Sequence, residues 1–173
     1  MLSFTRLLPA LLATGLLLTG CDSAPPREPA PTTASAPRFA SDEEALAAAE
    51  KAYAAYLAVS DQIVREAGAD DSRLASFVSK ELFDETSDSY EYLRENDWRG
   101  IGATAFSIAL QRYDTDSIVA YTCDDMTNTD LVDATGASVV KAGRRLHLPF
   151  EVEFDPNDSL RIVRKDYWAD REC

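Results

Sequence analysis

"LHLPFEVEFDPNDSLRIVRKDYW", residues 146–168, is the stretch that decides the fold. Leu146, Leu148, Phe150, Val152 and Phe154 keep one parity, while Arg145, His147, Glu151 and Glu153 keep the other. A side-chain period of two belongs to a strand with one face in a core and the other in water. Asp155-Pro156-Asn157-Asp158 follows as a turn sequence, with Pro at the second position, where its fixed φ is already the required one. Leu160 to Trp168 then returns as the last strand. Working outward, Phe106, Ile108 and Leu110 alternate with Ser107, Ala109 and Gln111 in the same manner, and Asp114-Thr115-Asp116 turns the chain. Ser117 to Cys123, rich in β-branched and aromatic residues, reads as the partner strand. Asp124 to Gly136 reads as a loop holding a short strand.

Before Trp98 the period is helical. Ser41 with Glu44 three residues on has the spacing of a capping box, in which hydroxyl and carboxylate each satisfy a free N–H of the first turn. Leu46, Ala49, Tyr53, Tyr56, Leu57, Ser60, Ile63 and Val64 then follow one helix face, and Gly68 supplies a stop, giving a helix of about 26 residues. A second helical stretch is predicted from Asp71 or Ser72, with Leu74, Phe77 and Val78 on one side. A third runs through Leu82, Phe83, Thr86, Tyr90 and Leu93 to about Asn96. Helices first and antiparallel strands after them make an α+β domain with the helices on one face of the sheet.

The front of the chain has a different character. Residues 1–20 contain no acid, one base (Arg6) and an apolar run from Leu7 to Leu18 that is 12 residues long. A membrane span needs about 20 apolar residues, so this segment reads as a secretory signal. It ends Leu18-Thr19-Gly20-Cys21, which resembles the lipobox of bacterial lipoproteins: an aliphatic residue, two small ones and a cysteine. The resemblance implies that Cys21 takes a diacylglyceryl group and becomes the mature amino terminus, lipid-anchored at the outer face of the cytoplasmic membrane. Residues 22–40 hold five prolines among Ala, Ser and Thr and read, together with Cys21, as a disordered tether over 21–40. The folded domain is expected over 41–173.

With Cys21 acylated, Cys123 and Cys173 remain as an even pair in an exported chain, which suggests a disulfide; two free buried thiols or zinc ligands are the alternatives. Charge sets a further bound. The mature chain carries 16 bases and 30 acids, a net of −14, and repels phosphates, so nucleic acid is excluded as a partner. The helical half, residues 41–97, has 15 acids against 5 bases and reads as a solvated surface, with a docking face for a basic partner as the other reading.

Several features together resemble small secreted lipoproteins of actinobacteria with an NTF2-like, or cystatin-like, domain. They are the Ala52-to-Leu57 segment of the first helix, Trp98-Arg99-Gly100-Ile101-Gly102 before the sheet, a strand ending Cys123-Asp124, a Gly turn and the terminal Cys173. An Arg to Lys ratio of 13 to 4 suits a GC-rich genome. The resemblance implies a cone of helices on a curved antiparallel sheet, and a disulfide stapling the chain end to the strand that carries Cys123. Folds of this kind host many functions, so function has to be argued from the site.

The strand residues predicted to point inward, Phe106, Ile108, Leu110, Leu146, Leu148, Phe150, Val152 and Phe154, include no ionisable group. His147, the single histidine, has the opposite parity and reads as a surface or strand-edge residue. Tyr53, Tyr56, Phe106 and Phe150 are candidates to line a pocket, the two tyrosines also reading as core aromatics. Asp124, Asp125, Asn128, Asp130 and Asp133 lack the Gly and terminal Glu of an EF-hand and read as turn and cap residues rather than a calcium loop. No cofactor, metal site or catalytic set is predicted. The expectation is a lipid-anchored envelope module, not an enzyme, that binds an envelope protein or a small apolar ligand. The alternative is a SnoaL- or ketosteroid-isomerase-like enzyme acting on a small apolar substrate. It requires an Asp or His base in the apolar interior with a Tyr or Asp donor opposite.

Overall fold

Ser41 begins the first helix as its capping pattern requires. Its hydroxyl accepts from the Glu44 N–H at 3.3 Å, and the Glu44 carboxylate reaches back to the Ala40 N–H at 2.9 Å. The computed structural model describes residues 38–173; the expected signal, Cys21 and the tether up to residue 37 lie outside the described residues. Helix α1 (Asp42–Arg65) buries Ala45, Ala49, Tyr53, Tyr56, Leu57 and Ile63. It ends where Gly68, at a φ of +76°, donates its N–H to the Ile63 carbonyl at 2.8 Å. A Cβ at Gly68 would collide with the Tyr90 carbonyl, so this glycine serves both the turn and a close backbone approach. The second helical stretch is only a single 3₁₀ segment, Asp71–Ser76, with Leu74 buried. Helix α2 (Lys80–Asn96) is capped by the Ser79 hydroxyl on the Leu82 N–H at 3.2 Å and buries Leu82, Tyr90 and Leu93.

Six strands follow. They are β1 (Arg99–Ile101), β2 (Ala105–Tyr113), β3 (Ile118–Asp125), β4 (Asp130–Val132), β5 (His147–Asp155) and β6 (Arg161–Tyr167). Strands β2-β3-β5-β6 form one antiparallel sheet in that order, and β1 pairs with β4 in a separate two-stranded ribbon. Helix α1 packs on β2 and β3, and α2 packs against β6. The domain is α+β, helices preceding an antiparallel sheet. Its core joins Ala45, Ala49, Tyr53 and Ile63 of α1 to Ile118, Ala120, Val152, Phe154 and Ile162 of the sheet, each 0 or 1 % exposed.

Strand β3 is covered on both sides, which is why its burial is almost continuous. On the side away from α1, Tyr121 stacks edge-on against Trp168 with ring centres 5.6 Å apart, and its hydroxyl donates to the Glu172 carbonyl at 3.0 Å. Cys123 and Cys173 are joined as a disulfide with Cα atoms 5.6 Å apart, fixing the terminal segment across the central strand. Among the expected inward residues, Leu146 is the exception. It precedes β5, where its carbonyl accepts from the Met126 N–H at 2.7 Å, and is 37 % exposed.

A candidate binding cavity over a buried ion pair

The inner row of β3 is Ile118, Ala120, Thr122 and Asp124, set against Phe154, Val152, Phe150 and Leu148 of β5. Because β3 continues to Asp125 instead of ending at Cys123, Asp124 falls on the core-facing parity. It lies opposite Phe106 on one side and Leu148 on the other, and its side chain is only 5 % exposed. An interior free of ionisable groups, the sequence-based expectation, is therefore corrected, and so is the assignment of Asp124 to turn chemistry.

A second charge meets it. Between the pairs Phe154–Ile162 and Glu153–Arg164 the register of β6 shifts, leaving Val163 without a partner in a β-bulge. Strict alternation from Ile162 would turn Lys165 outward. The extra residue instead sets Lys165 opposite Val152, on the inner face, with its side chain 13 % exposed.

The two charges are bonded. Lys165 Nζ donates to Asp124 Oδ2 at 2.9 Å. The Tyr53 hydroxyl, from the fully buried middle of α1, lies 2.7 Å from Oδ1 and 2.9 Å from Oδ2, sharing its proton between them. Thr122 donates to the Tyr53 oxygen at 3.3 Å. Three rings surround the ammonium: Phe150 with its centre 4.0 Å from Nζ, Tyr56 at 5.3 Å and Tyr53 at 5.4 Å. Burial alone would push Lys165 down, but the Tyr56 and Tyr53 oxygens and the Asp124 carboxylate outweigh it and hold the group above its usual value. Asp124, bonded at 2.9 Å, is the carboxylate that faces the ammonium. Burial also raises the Tyr53 hydroxyl, with Asp124 adding to the effect and Lys165 opposing it.

Above this floor lies a cavity of about 390 Å³, between the second half of α1, the inner sheet face and the β1–β4 ribbon. Leu57, Val64, Leu93, Leu131, Leu148 and Phe150 give it apolar walls. Tyr56, Asp124 and Lys165 supply its polar end, and Asp61, Arg65 and Arg144 stand among its lining. The ribbon is tied down by polar contacts. Asp61 accepts from the Thr104 N–H and hydroxyl, both at 2.9 Å, Arg65 donates to the Gly102 carbonyl at 3.3 Å, and Arg144 donates to the carbonyls of Met126 and Thr129. Gly100 lets β1 lie directly on α1, where a Cβ would come within 2.6 Å of a Val64 methyl.

Of the four aromatic residues singled out in the sequence, Tyr56 and Phe150 line the cavity. Tyr53 lies beneath its floor, packed edge-on against Phe106 with ring centres 5.0 Å apart, and neither of these two is in the lining. His147 stands at the start of β5 on the solvent side, 56 % exposed and 3.6 Å from Asp125. The neighbouring acids serve their own loops. Asp125 accepts from the Thr127 N–H at 2.8 Å, Asp130 from the Leu131 N–H at 2.8 Å and the Ser138 hydroxyl, and Asp133 from the N–H groups of Thr135 and Ala137. No group of three metal-ligating residues occurs among the described residues.

Comparison with known proteins shows the fold alone. No protein-family model and no curated protein matches the chain. A solved structure that is similar is the crystal structure of the intermembrane space region of the chloroplast protein ARC6, with a TM-score of 0.53 and 10 % sequence identity. The match covers 72 % of this chain and 96 % of that one.

Proposed function

We propose that this protein is a lipid-anchored, extracytoplasmic module with an NTF2-like cone, related to the secreted actinobacterial lipoproteins it resembles, which binds a small apolar ligand at the cell envelope. Cys21 carries the anchor, residues 22–40 form the tether, and neither nucleic acid nor a cofactor takes part. The observation that carries this reading is the cavity. Its walls are aliphatic and aromatic, and its volume of about 390 Å³ falls in the roughly 300–1,000 Å³ range of small-molecule sites. An envelope protein docking through the same domain is compatible with the anchor and the tether.

One observation favours the isomerase-like alternative. A carboxylate deep in the domain, against a tyrosine hydroxyl, is the pairing such a site requires. Here, however, the Tyr53 proton and the Lys165 ammonium already engage both Asp124 oxygens. Both oxygens are thus occupied by the protein's own donors, and Tyr53 donates towards Asp124 rather than to a substrate. The reading proposed is therefore binding without turnover.

The test is titration of the delipidated protein with the neutral fluorophore 1-aminoanthracene. Saturable 1:1 binding is expected, and it should be lost when Leu57→Trp fills the cavity. A folded protein that shows no saturable binding would overturn the reading. Exchange of the α-protons of an added ketone, faster than in buffer and abolished by Asp124→Asn, would establish the enzyme instead.

A further inference from the structure

The polar end of the cavity holds hydrogen-bond donors that the protein itself does not use. Tyr56 is 7 % exposed and lines the cavity, yet its hydroxyl makes no hydrogen bond among the described residues. No buried side-chain nitrogen or oxygen among those residues lacks a partner, so this hydroxyl reaches accessible space, which here is the cavity. Lys165 also lines the cavity. An ammonium has three N–H donors; Lys165 gives one to Asp124 at 2.9 Å and is also hydrogen-bonded to the Tyr53 side chain, which leaves one for the cavity. Two donors from different elements, α1 and β6, thus stand at the polar end of the cavity.

Charge narrows what they can receive. At this end of the cavity Asp124 already balances Lys165, so a carboxylate inserted there would sit beside an existing one, while the Arg65 and Arg144 guanidiniums of the lining are held by the Gly102, Met126 and Thr129 carbonyls. A cationic group is disfavoured in its turn, because Lys165 occupies the space between Phe150, Tyr56 and Tyr53 where a cation would be drawn. A neutral acceptor meets neither obstacle.

We propose that the cavity takes a neutral, largely apolar molecule bearing a carbonyl oxygen, such as a ketone, ester or amide, inserted with that oxygen accepting from the Tyr56 hydroxyl and the Lys165 ammonium. The proposal rests on the ligand-binding reading above and adds to it the chemical class and orientation of the ligand. The aliphatic body lies along Leu57, Val64, Leu131 and Leu148, towards the β1–β4 ribbon.

The test uses displacement of 1-aminoanthracene by four matched bicyclic probes: 2-acetylnaphthalene, 2-ethylnaphthalene, 2-naphthoate and 2-(aminomethyl)naphthalene. Hydrophobicity alone ranks the ethyl compound above the acetyl one. The proposal reverses that order and places both charged probes last. Tyr56→Phe removes a hydroxyl with no partner in the protein, so it should leave stability unchanged while cutting the acetyl-over-ethyl preference by roughly 2- to 12-fold, the range for one hydrogen bond. The double variant Lys165→Met/Asp124→Asn removes the second donor without leaving an unpaired charge, and should abolish what preference remains. An ethyl compound that binds as well as the acetyl one, a naphthoate that binds tightest, or a preference that survives both variants would overturn the proposal with the ligand cavity still standing. If the fluorophore itself fails to bind, the ligand-binding reading falls, and this proposal falls with it.

Discussion

Asp124→Ala removes the one negative charge from an interior that still holds Lys165. With side-chain exposures of 5 % and 13 %, the pair meets water only from the cavity side and is poorly solvated in place. Breaking such a pair from one side costs about 3–5 kcal/mol, because the remaining charge is left without compensation. The Tyr53 hydroxyl loses its acceptor in the same step. The two losses share one cavity and do not add in full, so about 4 kcal/mol, a fall in Tm on the order of 10 °C, is expected. The loss should depend on pH. Without Asp124, burial favours the neutral amine, so Lys165 titrates below its unfolded value and the folded variant binds fewer protons than the unfolded chain. Stability then rises with pH, and the deficit against the parent should shrink between about pH 7 and 10. Replacing both partners, as in Asp124→Leu/Lys165→Met, removes the unpaired charge and should recover part of the loss, the remainder being the roughly 1–3 kcal/mol of a buried Tyr53 hydroxyl without its acceptor. Urea denaturation of all three proteins across that pH range is the assay. A single variant costing under about 1 kcal/mol, or a double variant as unstable as the single one, would refute the picture of a desolvated, mutually dependent pair.

Three further outcomes follow from other parts of the molecule. Cys173→Ser opens a cross-link between residues 50 apart and should lower stability by about 2–4 kcal/mol, a difference that should vanish when the parent is reduced; recovery of both thiols free from exported protein would contradict it. Above pH 10 the fold should weaken steeply: burial pushes Tyr90 up to about 12 and Tyr53 higher still, so the unfolded chain loses these protons first, and absorbance at 295 nm should show a tyrosine component that ionises only with unfolding. Cys21→Ala should abolish lipidation and leave either unprocessed precursor or released protein; mass spectrometry of membrane extracts that finds Cys21 unmodified inside a longer parent chain would end the anchoring proposal.

The architecture was legible in the sequence because amphipathic period and capping chemistry are local. Ser41 with Glu44, Gly68, and the alternations around Phe106 and Phe150 each carry their meaning within a few residues. The polar centre was not, for two separate reasons. Asp124 sits one residue beyond the apparent end of its strand, in a run of acids whose other members do serve turns, so composition pointed away from the core. Following the parity of Ile118, Ala120 and Thr122 one step further would have found it. Lys165 has no such signal. Its orientation depends on the bulge at Val163, which comes from the way β6 pairs with β5 while also bridging to Val78 beside the 3₁₀ segment. Leu146 was misplaced for the converse reason, a correct parity carried past the point where pairing begins.

The unpaired Val163 also bears on how the gene for this protein can change. Losing one codon inside a strand ordinarily turns every downstream side chain to the opposite face. At β6 the surplus residue is already there, and Val163 is 36 % exposed. Deleting it would straighten the strand and leave Ile162 and Lys165 facing inward as before. Deleting Arg164 would do the same while removing the cation that bonds Glu151 and Glu153 on the outer face. This short segment is therefore a place where the coding sequence can shorten by a residue and the interior charge pair survives, so aligned descendants that differ by a gap here can still share the same core.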